Sequence, residues 1–307
     1  VKSNEKNIND VLKNKPELLF IIQTLSDKSN TDINLITKFN SEEFIRLIKH
    51  HRLDSIFYKA IKEQNVKLPN DLEVKLSDIN KRNKMRMMKL TVELIRIHKF
   101  FTENNIDYIS LKGPALSQQI YGDYTIRNSR DLDILVKEED FIKASNLLKL
   151  LNYKNNKKFN SINKFNYKEF KFINSETKIL VELHHRLFNN KYLLPIENQD
   201  FNSSQFVKIN NINIPILPNN LNFEYIDTHA AAHNWMRMVW SLDILSFKKT
   251  DKNNYSLEDF VIISSEKQLK LFSRMLHLLK LNNSFKYKVQ EILQRLFIPY
   301  RFFDNLH

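Results

Sequence analysis

Asp131 and Asp133 are one residue apart inside an apolar run, Asp131-Leu132-Asp133-Ile134-Leu135-Val136. On a β-strand, residues i and i+2 share a face, so both carboxylates project together. Adjacent carboxylates repel and raise each other's pKa unless a cation lies between them. Hard oxygen donors of this kind suit Mg²⁺, which takes one or two carboxylates and completes its shell with waters and substrate phosphates. Two acids in a buried strand are costly as decoration; a strand end with solvated acids is the alternative. A third carboxylate is expected from a neighbouring strand. Glu182 fits, in Ile179-Leu180-Val181-Glu182-Leu183-His184, where alternation puts Leu180, Glu182 and His184 on one face. It would hold a second metal or take a proton from an attacking hydroxyl. A lone Glu in a strand is otherwise an ordinary exposed residue.

The chain has only two glycines, Gly113 and Gly122. Gly122 closes a helical run and reads as a C-cap. Gly113 follows a strand and precedes a helix, where backbone N–H groups can face a phosphate. Lys112 and Arg127 flank this stretch as cations that either neutralise phosphate or stay on the surface. His184 would shuttle a proton, contact substrate or serve as a hydrogen-bonded structural residue. His229 and His233 stand i, i+4 on a helix, the spacing of some zinc sites, but no third ligand is evident. They are candidates for packing or for lining a substrate, with Asp243 beside them.

The elements that must position these groups follow from periodicity. Residues 1–104 read as helical, with Ser41-Glu42-Glu43-Phe44 as a helix start. The segment from Asp71 to Asn104 places Met88, Leu90, Leu94, Ile97 and Phe101 on one face. Residues 105–217 form a mixed core. Its strands are Asp107–Leu111, Asp131–Val136, Phe165–Ile173 and Lys178–His184, with helices Ala115–Tyr121 and Glu138–Leu151. Val207–Ile209 and Ile212–Ile216 pair as a hairpin about Asn210-Asn211. Residues 218–307 return to helix. The fold class is α+β.

Composition narrows the function classes. Of 307 residues, 42% are hydrophobic and 27% charged, as in an ordinary folded protein. The net charge of +13 favours polyanionic partners, unless the Lys excess simply solvates the surface. There are no cysteines, which excludes disulfides and thiolate metal sites. No apolar run reaches the ~18 residues of a spanning helix, and the first residues lack the apolar core of a secretory signal. A soluble, cytoplasmic protein without membrane contact is expected. No G-x-x-x-x-G-K-[ST] sequence is present, which excludes a P-loop kinase.

Taken together, these residues resemble the uncharacterised nucleotidyltransferase family of the DNA polymerase β-like superfamily. The resemblance rests on Leu111-Lys112-Gly113, Tyr121-Gly122, Arg127-x-x-x-Asp131-Leu132-Asp133-Ile134-Leu135-Val136 and Val181-Glu182-Leu183-His184. It continues through His229-Ala230-Ala231-Ala232-His233 and Trp240-Ser241-Leu242-Asp243-Ile244. It implies a polymerase β-like core, a mixed sheet with flanking helices, and two-metal transfer of a nucleotidyl group with Mg²⁺ or Mn²⁺. By matching position, Asp131 and Asp133 would bind both ions, and Glu182 would complete the site or act as base. Gly113 would open the helix that receives the NTP triphosphate, with Lys112 and Arg127 neutralising its charge. The superfamily writes Gly-Gly or Gly-Ser at this turn. Here Pro114 follows Gly113, leaving Ser117 as a weak substitute for the missing hydroxyl.

The expected activity is transfer of an NMP from an NTP to a hydroxyl-type acceptor, releasing pyrophosphate. A small molecule, a peptide or protein, and a tRNA end are all open as acceptors. The Lys-rich tract from Lys154 to Lys171, interleaved with Phe159, Phe165, Tyr167 and Phe170, would either meet nucleic acid or form the wet face of a hairpin. A toxin-like tRNA-modifying enzyme and a catalytically inactive nucleotide-binding scaffold are the alternatives.

Overall fold

The computed structural model describes residues 15–26, 31–155, 167–189, 194–233 and 236–248. Val11-Leu12, Phe159, Phe165 and the helices expected beyond Lys248 lie outside those residues. Contacts divide the chain into two units: residues 1–53, 57–75 and 226–307 form the first, and residues 54–56 and 76–225 the second.

The first unit is helical among its described residues. Helix α1 (Pro16–Leu25) opens on proline, whose missing N–H costs nothing in a first turn. A 3₁₀ turn (Ile33–Lys38) leads to α2 (Ser41–His50). The cap of α2 is Asn40, one residue before the expected start, and its side chain accepts from the N–H groups of Glu42 and Glu43. Helix α3 (Asp54–Glu63) follows. Phe20, Phe39, Phe44 and Phe57 form one cluster, with ring centroids 5.0–6.2 Å apart.

The second unit is built on helix α4 (Asn70–Glu103), which enters it at Leu76. Met87, Leu90, Leu94, Ile97 and Phe101 repeat at spacings of three and four, and all are buried. Met88, expected on this face, is instead 52% exposed. Three residues back from Leu90 is Met87, and it is Met87 that the helical period turns inward.

The core face of α4 covers a five-stranded sheet. Its strands are β1 (Tyr108–Ser110), β2 (Asp131–Val136), β3 (Tyr153–Lys154), β4 (Glu169–Asn174) and β5 (Leu180–His184), in the order β1-β2-β5-β4-β3. β2 and β5 run parallel and the other pairs antiparallel, so the sheet is mixed. Helix α5 (Gly113–Tyr121) connects β1 towards β2, and α6 (Phe141–Leu150) follows β2. Leu132, Ile134, Val136, Val181, Leu183, Phe170 and Phe172 all point to the α4 and α6 side. Each such side chain contributes about 1.5–3 kcal/mol on burial. The opposite face is thereby left to Asp131, Asp133, Glu182, His184, Glu169 and Lys171.

A short helix, α7 (Asn198–Asn202), precedes the hairpin of β6 (Gln205–Ile209) and β7 (Ile212–Ile216). Its turn residues Asn210 and Asn211 both have positive φ, 47° and 64°, as a two-residue hairpin turn requires. Helix α8 (Asn219–Ala232) carries Tyr225 in the second unit and continues into the first, followed by α9 (Met238–Lys248). Among the described residues, no helix is long and apolar enough to cross a membrane. The fold is α+β, a mixed five-stranded sheet with flanking helices.

Candidate active site

The parallel pairing of β2 with β5 sets Asp133 directly opposite Glu182, and Leu135 opposite His184. On the other side of β5, Glu182 faces Lys171 and His184 faces Glu169. Because strand side chains alternate, these residues converge on one face. One ligand atom each from Asp133, Glu182 and His184 lies within 4.8 Å of the others. Among the described residues, no other group of three His, Asp or Glu side chains meets that condition. Asp131 lies on the same face, two residues earlier in β2 and opposite Leu180. It is half-buried, and its charge is felt at Lys171.

His184 is fully buried. Its Nε2 lies 3.3 Å from Asp133 Oδ1, 3.5 Å from Glu169 Oε2 and 3.9 Å from Glu182 Oε2. Neither ring nitrogen has a hydrogen-bond partner. Three lysines face these acids. Lys112 Nζ is 3.4 Å from Asp133 Oδ1, Lys171 Nζ is 2.9 Å from Glu182 Oε1, and Lys168 Nζ is 2.9 Å from Glu169 Oε2. Burial raises the Glu182 carboxyl above its ordinary pKa, as do the charges of Asp133 and Glu169, while Lys171 opposes them. At Glu169 burial also pushes upward, but His184 and Lys168 outweigh it and the net shift is down.

Lys112 and Gly113 form the turn between β1 and α5. The N–H of Leu111 still donates to Asp133 O at 3.0 Å, so the turn begins directly beside the acidic strand. Gly113 takes φ +66°, a left-handed conformation that favours glycine. Pro114 then occupies the first turn of α5. Burial disfavours the Lys112 ammonium, but Asp133 and Tyr225 more than compensate and its pKa is raised. The Lys112 ammonium also sits 5.3 Å from the Tyr225 ring centroid. Tyr225, fully buried, has its phenol pushed up to about 12, chiefly by burial.

Arg127 is 3% exposed and donates from its guanidinium to Ser129 Oγ at 3.0 Å. It lies close enough to Lys112 for the two cations to repel. Ser117 is fully buried; its hydroxyl donates to Asp123 O at 2.6 Å and accepts from Arg127 N–H at 3.0 Å. Gly122 caps α5 with φ +69°.

Three other histidines, His185, His229 and His233, have different surroundings. His185 points to the opposite face from His184, with its ring 5.3 Å from Phe141 and its Nε2 2.7 Å from Tyr167 O. His229 and His233 belong to the first unit, with ring centroids 4.7 Å apart. Both pack on Trp240, at 5.7 and 5.3 Å, and Arg237 lies 5.7 Å above the same indole. Asp243 is fully buried in α9.

Glu169 and Tyr225 were not singled out from the sequence, and Lys168 and Lys171 entered only as part of the lysine-rich tract. The alternation Glu169-Phe170-Lys171-Phe172 does reveal a polar face on β4. Which acids that face would meet depends on the β4–β5 register, and nothing in the sequence marks Tyr225.

A mixed sheet that gathers paired acids opposite its core, beside a glycine turn leading into a helix, is the arrangement expected of a nucleotidyltransferase. The sequence model described as an uncharacterised nucleotidyltransferase matches residues 37–284, and this chain belongs to that family. A solved structure of a candidate nucleotidyltransferase from Thermotoga maritima aligns at 16% identity and a TM-score of 0.31. It covers 48% of this chain and 92% of its own. No curated protein matches the chain.

Proposed function

We propose that this chain transfers an NMP from an NTP to a hydroxyl-type acceptor. In that reaction the acceptor oxygen bonds to the α-phosphorus, the bond to the β-phosphate bridge breaks, and pyrophosphate leaves. The supporting observation is the convergence of Asp133, Glu182 and His184 within 4.8 Å. This oxygen-rich donor set, with both ring nitrogens of the buried His184 lacking a hydrogen-bond partner, fits a divalent cation. Asp131, Asp133 and Glu182 would hold Mg²⁺ or Mn²⁺. A bound ion would supply Lewis-acid polarisation of the phosphoryl oxygens and charge balance for the leaving pyrophosphate.

The chain's own residues account for the rest. Glu182 would complete the metal site or, alternatively, take the acceptor's proton. Lys112 and Arg127 repel each other, and a triphosphate bound at the Gly113 turn would relieve that repulsion. Ser117 would act by holding the Asp123–Arg127 loop, since its hydroxyl is occupied. His229, His233 and Asp243 are assigned a packing role in the first unit.

Label transfer tests this reading. The protein is incubated with each labelled NTP, Mg²⁺ or Mn²⁺, and a cell extract. Label should appear on one class of acceptor, and Asp133→Asn should lower the rate at least about 100-fold while the protein stays folded. Unchanged transfer by Asp133→Asn would sink the mechanism. NTP binding without turnover would favour the scaffold reading.

One observation favours a nucleic-acid acceptor. A groove of about 420 Å³ borders the acids and is lined by Lys154, Tyr167, Lys168, Lys171, Ile173 and Leu180 among others. It lies over β4, on the opposite side of the acids from the Gly113 turn in the sheet order. Tyr167, 43% exposed, offers a stacking surface between lysines.

A further inference from the structure

We propose that the imidazole of His184 is itself a metal ligand, making the centre a mixed nitrogen–oxygen site that prefers Mn²⁺ to Mg²⁺. This rests on the divalent-ion site argued above and deepens it. Glu169 acts as the outer carboxylate of that site.

The argument starts from burial. Buried polar atoms almost always find a hydrogen-bond partner, yet neither ring nitrogen of the fully buried His184 has one, and its Nε2 faces Glu169 Oε2 at 3.5 Å. Asp133 Oδ1 and Glu182 Oε2 approach the same nitrogen at 3.3 and 3.9 Å. These separations are too long for charge-assisted hydrogen bonds, which close to about 2.7–2.9 Å. They are nearer the spacing of neighbouring ligands about one ion. With bonds of about 2.1 Å, octahedral neighbours lie about 3.0 Å apart and tetrahedral ones about 3.4 Å. The geometry therefore suits a cation between the groups better than a proton shared among them.

The identity of the donors then sets the preference. Carboxylates suit Mg²⁺ and Mn²⁺ alike, whereas an imidazole nitrogen favours the transition ion. Glu169 lies outside the tight triple, 3.5 Å from the same His184 Nε2, so its carboxylate would balance the charge of the ion from the outer shell. Lys112 and Lys171 compete for the same carboxylates and keep the affinity of the site moderate.

Pulsed electron spin resonance tests this on the full chain, stripped with a chelator and titrated with Mn²⁺. The wild-type protein should show nitrogen modulation from one bound imidazole, changing to the ¹⁵N pattern when the protein is grown on ¹⁵N-histidine. His184→Gln should lose that modulation and bind Mn²⁺ about 10-fold or more weakly, with Mg²⁺ affinity changed less than about 3-fold. Glu169→Gln should keep the modulation and weaken Mn²⁺ by about 10-fold. Bound Mn²⁺ without nitrogen coupling, or no Mn²⁺ binding at millimolar concentration, overturns the proposal. The wild-type signal decides this even if a variant fails to fold. Transfer with Mg²⁺ and no coupling would leave the proposed function standing while this inference falls. Coupled Mn²⁺ without transfer to any acceptor would do the reverse.

Discussion

At the scale of single residues, Gly113 shows how a backbone requirement can mark a site. This chain uses Asn at many of its left-handed positions, including Asn65, Asn105, Asn152, Asn210 and Asn211. Glycine persists at 113, where an added Cβ would meet Asp131 O at 3.5 Å and Leu132 Cδ2 at 3.6 Å. A Cβ fits there, but a longer side chain would press on the acidic strand. Gly113→Ala should cost about 1–2 kcal/mol from backbone strain, whereas Gly122→Asn, with nothing within 4 Å, should cost only a few tenths. Urea unfolding of the two variants separates these outcomes.

His51 supplies the pH dependence at the same scale. It is fully buried, and its Nδ1 accepts from Met238 N–H at 3.4 Å, which requires the neutral ring. Burial, then the charges of His50 and Arg237, push its pKa down to about 3. The unfolded chain takes up a proton as pH falls through the ordinary histidine range, and the folded chain does not until near 3. Stability is therefore lost as pH drops across that window, at up to about 1.4 kcal/mol per pH unit. Between pH 7 and 5, His51→Gln should lose about 2 kcal/mol less stability than the wild type, measured by urea melts at both pH values.

At the scale of elements, α4 and the sheet divide the labour. The three-four spacing of Met87, Leu90, Leu94, Ile97 and Phe101 presses one face of the sheet into the core, and alternation then sends the acids to the other. Met87→Ala should destabilise by about 2–5 kcal/mol through a cavity, while Met88→Lys should stay within about 0.5 kcal/mol. Chemical denaturation of the two neighbours makes a direct comparison. Register is the decision with the largest consequence. A shift of one residue between β2 and β5 would turn Glu182 away from Asp133 and into the apolar layer.

At the scale of the whole molecule, the net charge of +13 poses a question of distribution. A diffuse lysine excess would bind any polyanion through many weak contacts. The groove beside the acids instead concentrates Lys154, Lys168 and Lys171 around Tyr167. Binding of a short labelled single-stranded RNA should weaken steeply between 50 and 200 mM salt, on the order of tenfold for each few phosphate contacts. Lys154→Ala should reduce the slope of log affinity against log salt by about 0.7. An unchanged slope would assign the charge to general surface solvation.

The sequence by itself determined the family, the strand carrying Asp131 and Asp133, the strand carrying Glu182, and the glycine turn. Each of these is written in local terms: a period of two, a break at Gly113-Pro114, an apolar run. The hairpin about Asn210-Asn211 was legible for the same reason, because its turn chemistry is local. Only the tertiary structure decided that His184 stands in the close group with Asp133 and Glu182. It alone brought Glu169, Lys171 and Tyr225 to the acids. Those meetings depend on strand order and register, which arise from packing between segments tens of residues apart, and no local spacing encodes a neighbour across a sheet.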